Sequence, residues 1–446
     1  MVKHVLQHWH FYQPRRNDKW TRRINKECYA PNSKNGILKH VSFNIGPTLI
    51  EWFNKHDKET LERMIQADEG QALAQPYNHR IMPLIRHDED LKTQIIWGKK
   101  YFKKFFKREP EGMWLPETAT SKRVCKELAK QGIKYSIGAP WQKKGQQDTS
   151  KPYKINLGKD LELIYFFYNP ISGNIAFNNP TNSGNKFLDN VDTTLEHLSS
   201  VIKDEEILLL AYDGETFGHH HKHTDLWAEY FPKGVTKRND MRMITVNEYI
   251  KKFEIKDHAN IHDNSSWSCH CGDLKRWTKG CDCAGGHKTY QEPLLKALEK
   301  IEDDVHEIFI DETSEYFKDA WDARNDYIDL KLESMTEEEF FKKYLKKEVT
   351  KEKESFLKKL LEAEYNLQLS FTSCGWFFPE MGIQAEQNML DAYKTTELIK
   401  DATAKDLTTG LLKDLELAED WTYEKEKKIH VTGRGILELS LKHNKI

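Results

Sequence analysis

The chain has 446 residues, of which 38% are hydrophobic and 31% charged, the balance of a globular protein with a highly charged surface and room for two or three domains. A net charge of −2 argues against a nucleic-acid or anionic-membrane partner. No run approaches the ~18–20 consecutive apolar residues of a membrane helix. The opening MVKHVLQHWHFYQP lacks the apolar stretch of a secretory signal, so a cytoplasmic location is expected.

Val5 and Leu6 open a strand that runs into a polar and aromatic cluster. Pro47 to Met64 has helical spacing of apolar positions, Gly112 to Leu115 reads as a short strand, and Lys122 to Lys130 as a helix closed by Gly132. Ile133 to Ile137, Leu161 to Phe167 and Ile207 to Tyr212 are further strands. Strands alternating with helices imply parallel β-α units. Asn174 to Asp189, rich in Asn, Gly, Pro and Ser, reads as a loop. From Gln291 onward Glu, Lys, Leu and Ala dominate with helical periodicity, and Lys342 to Lys359 reads as a solvated helix face. The expected organisation is an α/β barrel-type domain over 1–257 and a mainly α-helical domain over 258–446, with a Cys-rich loop at 267–287.

Four patches carry chemistry-bearing residues. In His8-Trp9-His10-Phe11-Tyr12-Gln13-Pro14, strand alternation puts His8 and His10 on one side. Gln75 to Leu84 (QPYNHRIMPL) is dense in ring and amide groups, and a structural turn explains it about as well as a site. In Gly112 to Ala119 (GMWLPETA), Glu117 follows a short apolar strand, where it is either a barrel-mouth carboxylate or a helix-start acid. In AYDGETFGHHHKH (211–223), Asp213 and Glu215 are two apart and share a face in an extended chain. Two acids in different environments can separate their pKa values, and glycoside hydrolysis needs such a pair across the scissile bond. The 12 Trp residues add flat faces suited to sugars, although most Trp are simply packed.

In this order and at this spacing, HWHFYQP, QPYNHRIMPLI, GMWLPETA and AYDGETFGHH resemble family 57 of the glycoside hydrolases. FTSCGWFFPEMG (371–382) and SSWSC…CDC are similar to a branch with a long C-terminal helical extension. The resemblance implies an incomplete (β/α)7 barrel and a retaining mechanism on α-glucans. It makes Glu117 the nucleophile and Asp213 the acid/base, in hydrolysis or 4-α-glucanotransfer. Substrate contacts are expected from His8, His10, Tyr12, Gln13, His79, Trp114, Glu215, His219 and Trp376. The chain departs from many relatives in having no Glu in Gly70-Gln71-Ala72-Leu73, which bears on α-glucan specificity.

Two other readings stand beside it. His8, His10, His79 and His219 to His221 suit a metal-dependent carbohydrate deacetylase, and the aromatic residues suit a non-catalytic glucan-binding protein. Catalysis by the two carboxylates needs no cofactor. Cys269, Cys271, Cys281 and Cys283, with His262, His270 and His287 nearby in sequence, leave open a structural zinc, free or redox-active thiols, or an iron–sulfur centre.

Overall fold

The structure, a computed structural model, describes residues 2–15, 18–177, 187–203, 206–284, 289–424 and 427–443. The chain divides into two compact units: Met1–Gln13, Asn17–Pro76 and Phe105–Trp267 form the first, and Pro14–Arg16, Tyr77–Lys104 and Ser268–Ile446 the second. These are not the contiguous segments 1–257 and 258–446 read from composition. The physical reason lies in the helix Asp88–Phe106. Its Trp97 Nε1 donates to the carbonyls of Arg324 and Asn325, and its Asp90 pairs with Arg324, so most of this helix belongs with the C-terminal helices.

The first unit is an α/β fold. Its strands are β1 (Lys3–Phe11), β2 (Ser42–Ile45), β3 (Ala72–Leu73), β4 (Tyr135–Gly138), β5 (Tyr153–Asn156), β6 (Glu162–Phe167), β7 (Ile207–Asp213), β8 (Met241–Met243) and β9 (His258–Ala259). One sheet runs β3-β2-β1-β7, with β8 also on β1, and all its pairings are parallel. The second runs β4-β6-β5-β9, with β4 and β6 parallel. Gly112 to Leu115 is not a full strand, but bridges Ala74↔Met113 and Gly112↔Tyr135 link β3 through this segment to β4. On the other side Asn169 N donates to Leu209 O of β7.

Strand alternation explains the interior. β1 and β7 pair in the register Leu6↔Leu209, His8↔Ala211 and His10↔Asp213, and paired residues of parallel strands point to the same side. Leu6, Leu73, Ile137, Phe166 and Leu209 therefore share one buried cluster with Trp114 and Tyr135. The same alternation carried one step further puts His10 and Asp213 at the carboxyl ends of their strands. Each fully buried side chain of this size contributes roughly 1.5–3 kcal/mol. That floor offsets the cost of the polar residues it supports.

Several elements differ from the sequence expectation for local reasons. Pro47 to Met64 is two helices, Pro47–His56 and Lys58–Gln66, because Asp57 caps the second by accepting from Thr60 N. Asn174 to Asp189 is not a loop throughout: helices Ile171–Phe177 and Phe187–Val201 enter it from both sides, and residues 178–186 lie outside those described. Lys342 to Lys359 spans the end of helix Glu337–Tyr344 and the start of Lys351–Leu369, where Thr350 caps the second helix.

The second unit is mainly helical, with long helices Gln291–Thr313, Lys351–Leu369 and Ile383–Thr403 and a hairpin of β10 (Glu419–Glu424) and β11 (Lys427–Thr432). Its interior holds a charge network. Arg324, fully buried, lies 2.7 Å from Asp90 and 2.8 Å from Glu364. His306 lies 3.3 Å from Asp90 and 3.4 Å from Glu364. Arg80 pairs with Glu302 at 2.6 Å, and its guanidinium covers the Phe371 ring at 3.8 Å. Burial alone would lower the pKa of His306, but the Glu364 and Asp90 carboxylates outweigh it and push it up to about 10.

Removing one partner from such a network strands the others in a low-dielectric interior. Arg324→Leu should lower the unfolding free energy by ~3–5 kcal/mol, read from denaturant titration; an unchanged midpoint would remove the network from the stability account. The raised pKa of His306 has a definite sign: its contribution is fully present below an unfolded pKa of ~6.5 and is lost as pH rises through about 10. Stability measured across that window should therefore fall in the native chain and fall less in His306→Gln.

Candidate active site

Three segments of the first unit bring the sequence-singled residues together: the ends of β1 and β7, and the turn after Trp114. Glu117 sits in that turn with φ 55°, and Thr118 follows with φ 50°. Two successive non-glycine residues in the left-handed region cost of order 1–3 kcal/mol each, and the surroundings hold them there. Gln142 is the clamp. Its Oε1 accepts from Thr118 Oγ1 at 2.9 Å and Ala139 N at 2.7 Å, while its Nε2 donates to the carbonyls of Thr118 and Ser265, both at 2.9 Å.

Trp267 fixes the carboxylate itself. Its Nε1 donates to Glu117 Oε2 at 2.9 Å and its backbone N–H to Glu117 O at 3.1 Å. The Trp267 ring meets Trp114 edge-on at 5.1 Å, His10 at 6.2 Å and Tyr168 at 6.3 Å.

His8 and His10 stack on Trp114 with centroids 4.5 and 5.2 Å away, and Tyr12 lies parallel to His10 at 6.1 Å. Both imidazoles turn to one atom: Asn44 Oδ1 lies 3.0 Å from His8 Nε2 and 3.1 Å from His10 Nδ1. Asn44 Nδ2 donates to Gln75 Oε1 at 2.8 Å, which orients the amide. Because a carbonyl oxygen only accepts, each histidine must present N–H to Asn44. Burial lowers His8 to about 3 and His10 to about 4 against the opposing Asn44 bonds, so both rings are neutral at ordinary pH. The Nε2 of His10 is then the lone-pair nitrogen.

The two acids of the D-G-E stretch have different environments. Glu215 is buried and accepts from Gln13 Nε2 at 3.0 Å and from the Tyr29 hydroxyl. Burial raises its pKa, while these two donors pull it back. Asp213 receives no such bond among the described residues. Burial, then the charges of Glu215 and Glu117, push its pKa well above the usual carboxylate range. Asp213 is thus biased toward its protonated form, while Glu215 and Glu117 are held by hydrogen-bond donors, a difference of environment of the kind that separates acid and base roles. Gly214 between them is obligatory: a Cβ there would fall 2.2 Å from the Phe11 ring.

Not every residue singled out from the sequence joins this group. His219 Nδ1 lies 2.5 Å from Glu27 Oε2 and its ring meets Trp20 edge-on, so it is held by a hydrogen bond to Glu27. His221 Nε2 lies 2.5 Å from Ala176 O, and His220 is exposed. Among the described residues, His8, His10 and His219 to His221 form no three-ligand metal group. His79 and Trp376 belong to the second unit. There His79 Nδ1 is 2.7 Å from Ser373 Oγ, and Trp376 Nε1 donates to Gln291 O while its ring lies parallel to Phe371 at 6.4 Å. Cys269 and Cys281 are buried, Cys271 and Cys283 exposed, all in the second unit. His262 is in the first unit and its N–H donates to Gln142 O; His287 lies outside the described residues.

Sequence reasoning missed Asn44, Gln142, Tyr168 and the role of Trp267. Asn44 was detectable as an amide at the end of an apolar strand. Trp267 lies 150 residues from Glu117 and carries no local signal.

Comparison with known proteins bears on this arrangement. Residues 5–262 match glycosyl hydrolase family 57, and residues 287–432 match a domain of unknown function, DUF3536. The chain is 24% identical over 281 residues to an α-amylase of Pyrococcus horikoshii, covering 58% of this chain and 42% of that protein. It is 24% identical over 246 residues to a 4-α-glucanotransferase of Thermococcus litoralis, covering 51% of this chain and 36% of that one. The matches thus span less than half the length of these curated relatives. The fold is like that of an exo-type maltose-forming amylase from Pyrococcus sp. ST04, with a TM-score of 0.72 at 16% identity over 93% of this chain and 83% of that one. Since the family match takes in more than half of its residues, this chain belongs to glycosyl hydrolase family 57.

Proposed function

We propose that the chain is a retaining enzyme acting on α-glucan oligo- or polysaccharides, as a hydrolase or a 4-α-glucanotransferase, with Glu117 as nucleophile and Asp213 as acid/base. The observation that carries this reading is the convergence of two acids from distant segments, Glu117 close enough for its charge to raise the pKa of Asp213. Amylase and glucanotransferase relatives support the substrate class. The linked series β1, β2, β3, Gly112–Trp114, β4, β6 and β7 supports an incomplete (β/α)7 barrel with these acids at the carboxyl ends of its strands.

In the first step the Glu117 carboxylate attacks the anomeric carbon as Asp213 gives its proton to the glycosidic oxygen, and the leaving sugar departs with that proton. In the second, Asp213 takes a proton from water or from an acceptor sugar hydroxyl. The oxygen so activated attacks the same carbon and releases Glu117. Trp267 acts through Glu117: its N–H fixes one carboxylate oxygen and so sets the angle of attack. The neutral rings of His8 and His10 place no positive charge beside a transition state that itself carries cationic character, and the Nε2 lone pair of His10 suits a sugar hydroxyl donor.

Glu117→Gln and Asp213→Asn should each lower turnover of maltooligosaccharides by at least ~10²–10⁴-fold with unchanged circular dichroism. An α-maltosyl fluoride, whose leaving group needs no proton, should restore glycosylation in Asp213→Asn but not in Glu117→Gln. Native-like activity of either variant on ordinary glucans would overturn the assignment. Initial products followed by NMR should be α-anomers, and β-anomers would exclude double displacement. Only protonated Asp213 can donate, so kcat/KM should fall as pH rises through its elevated pKa. Trp267→Phe keeps the ring and removes the N–H; a charge-assisted bond worth ~1.5–3 kcal/mol predicts roughly 10- to 150-fold lower kcat. An unchanged kcat would reduce Trp267 to packing.

A further inference from the structure

The chemistry proposed for the first unit uses none of the cysteines between residues 268 and 284, yet the second unit gathers them. The Sγ atoms of Cys269, Cys281 and Cys283 all lie within 4.8 Å of one another, and those of Cys269 and Cys281 are 3.9 Å apart. That is nearly twice the ~2.05 Å of a disulfide. It is close to the ~3.8 Å separating two sulfurs on one tetrahedral ion with ~2.3 Å metal–sulfur bonds. Cys271 stands near enough to act on the Cys283 thiol, which puts a fourth sulfur at the edge of the group.

The chain around these thiols is shaped to present them. Backbone N–H groups of Cys271 and Arg276 approach the Cys269 sulfur. Gly272, Asp273 and Leu274 follow with φ of 74°, 51° and 54°, turning the chain back toward Gly280 and Cys281. For Asp273 and Leu274 that conformation costs energy, which a bond across the loop offsets. Arg276 supplies a cation beside the sulfurs: it donates to Cys283 O at 3.2 Å and Phe377 O at 3.3 Å. The loop is thereby tied to the helix Cys374–Phe377.

We propose that Cys269, Cys281 and Cys283, with Cys271 as fourth ligand, bind a zinc ion that clamps this loop within the second unit. Each thiol loses its proton to solvent as it ligates, and four protein ligands close the coordination sphere, so the ion is structural. A tetrahedral sulfur site suits zinc or iron; two exposed thiols would open an iron–thiolate centre to oxidation, and redox-inert zinc has no such weakness.

The test is elemental analysis of the full chain purified under reducing conditions without added metal. The expected result is about one zinc per chain, released by a thiol-specific mercurial. Cobalt exchanged into the protein should show the sulfur-to-metal charge-transfer and intense ligand-field bands of a tetrahedral thiolate site. Cys269→Ser and Cys281→Ser should each lose most of the zinc, whereas Cys374→Ser should keep it. Metal-free protein with all seven thiols reactive, a Cys269–Cys281 disulfide in mass spectra, or stoichiometric iron would overturn the proposal. Should the serine variants fail to fold, the zinc content and cobalt spectrum of the unmutated chain decide it alone.

Discussion

The parallel pairing of β1 with β7 is the constraint on which the candidate site depends. Its register sets His10 level with Asp213 and stacks His8 over Leu6, with Ala211 and Leu209 facing them. A slip of β7 by one residue would turn each of its side chains to the other face. With β7 so shifted, Asp213 would leave Glu117, and Leu208 and Leu210, buried on the opposite face, would take the places of Leu209 and Ala211. The buried floor of Leu6, Leu209 and Phe166 makes that slip expensive, and so the apolar pattern below the site aligns the polar residues above it.

The two units bury charge in opposite ways. In the second, Arg324, Arg80 and His306 face Asp90, Glu364 and Glu302, so cations and carboxylates stand in equal number, and the pairing favours the ionised forms of Asp90, His306 and Arg324. In the first, Asp213, Glu215 and Glu117 sit near one another, and the donors given to them are neutral: Tyr29, Gln13 and Trp267. Neutral donors hold a carboxylate in place without cancelling its charge; burial, and then these like charges, raise the pKa of Asp213, which has no donor among the described residues. One arrangement pairs buried opposite charges, and the other leaves one buried carboxyl biased toward its protonated form.

Strand character and motif order made Asp213 and His10 legible, since both end apolar runs whose period shows which way they point. Glu117 was legible as a carboxylate after a turn, but its left-handed backbone was not, because nothing local favours φ 55° at a glutamate. That conformation is imposed by Gln142 and by the segment that delivers Ser265 and Trp267. The histidine run 219–221 misled the eye for the converse reason: a dense motif says nothing of its partners, and His219 spends its ring on Glu27.

By itself, then, the sequence determined that the segments of β1, β4, β6 and β7 are strands, which side of β1 and β7 faces inward, and which carboxyl and imidazoles stand at their ends. Those follow from periodicity and turn chemistry, which are local. The tertiary structure alone decided which carboxyl is held by donors and which is left to protonate, that both histidines are neutral on one amide, and that Trp267 fixes Glu117. It also decided that residues 77–104 belong with the C-terminal helices. Desolvation and hydrogen-bond partnership depend on groups tens to hundreds of residues apart, and no local pattern encodes them.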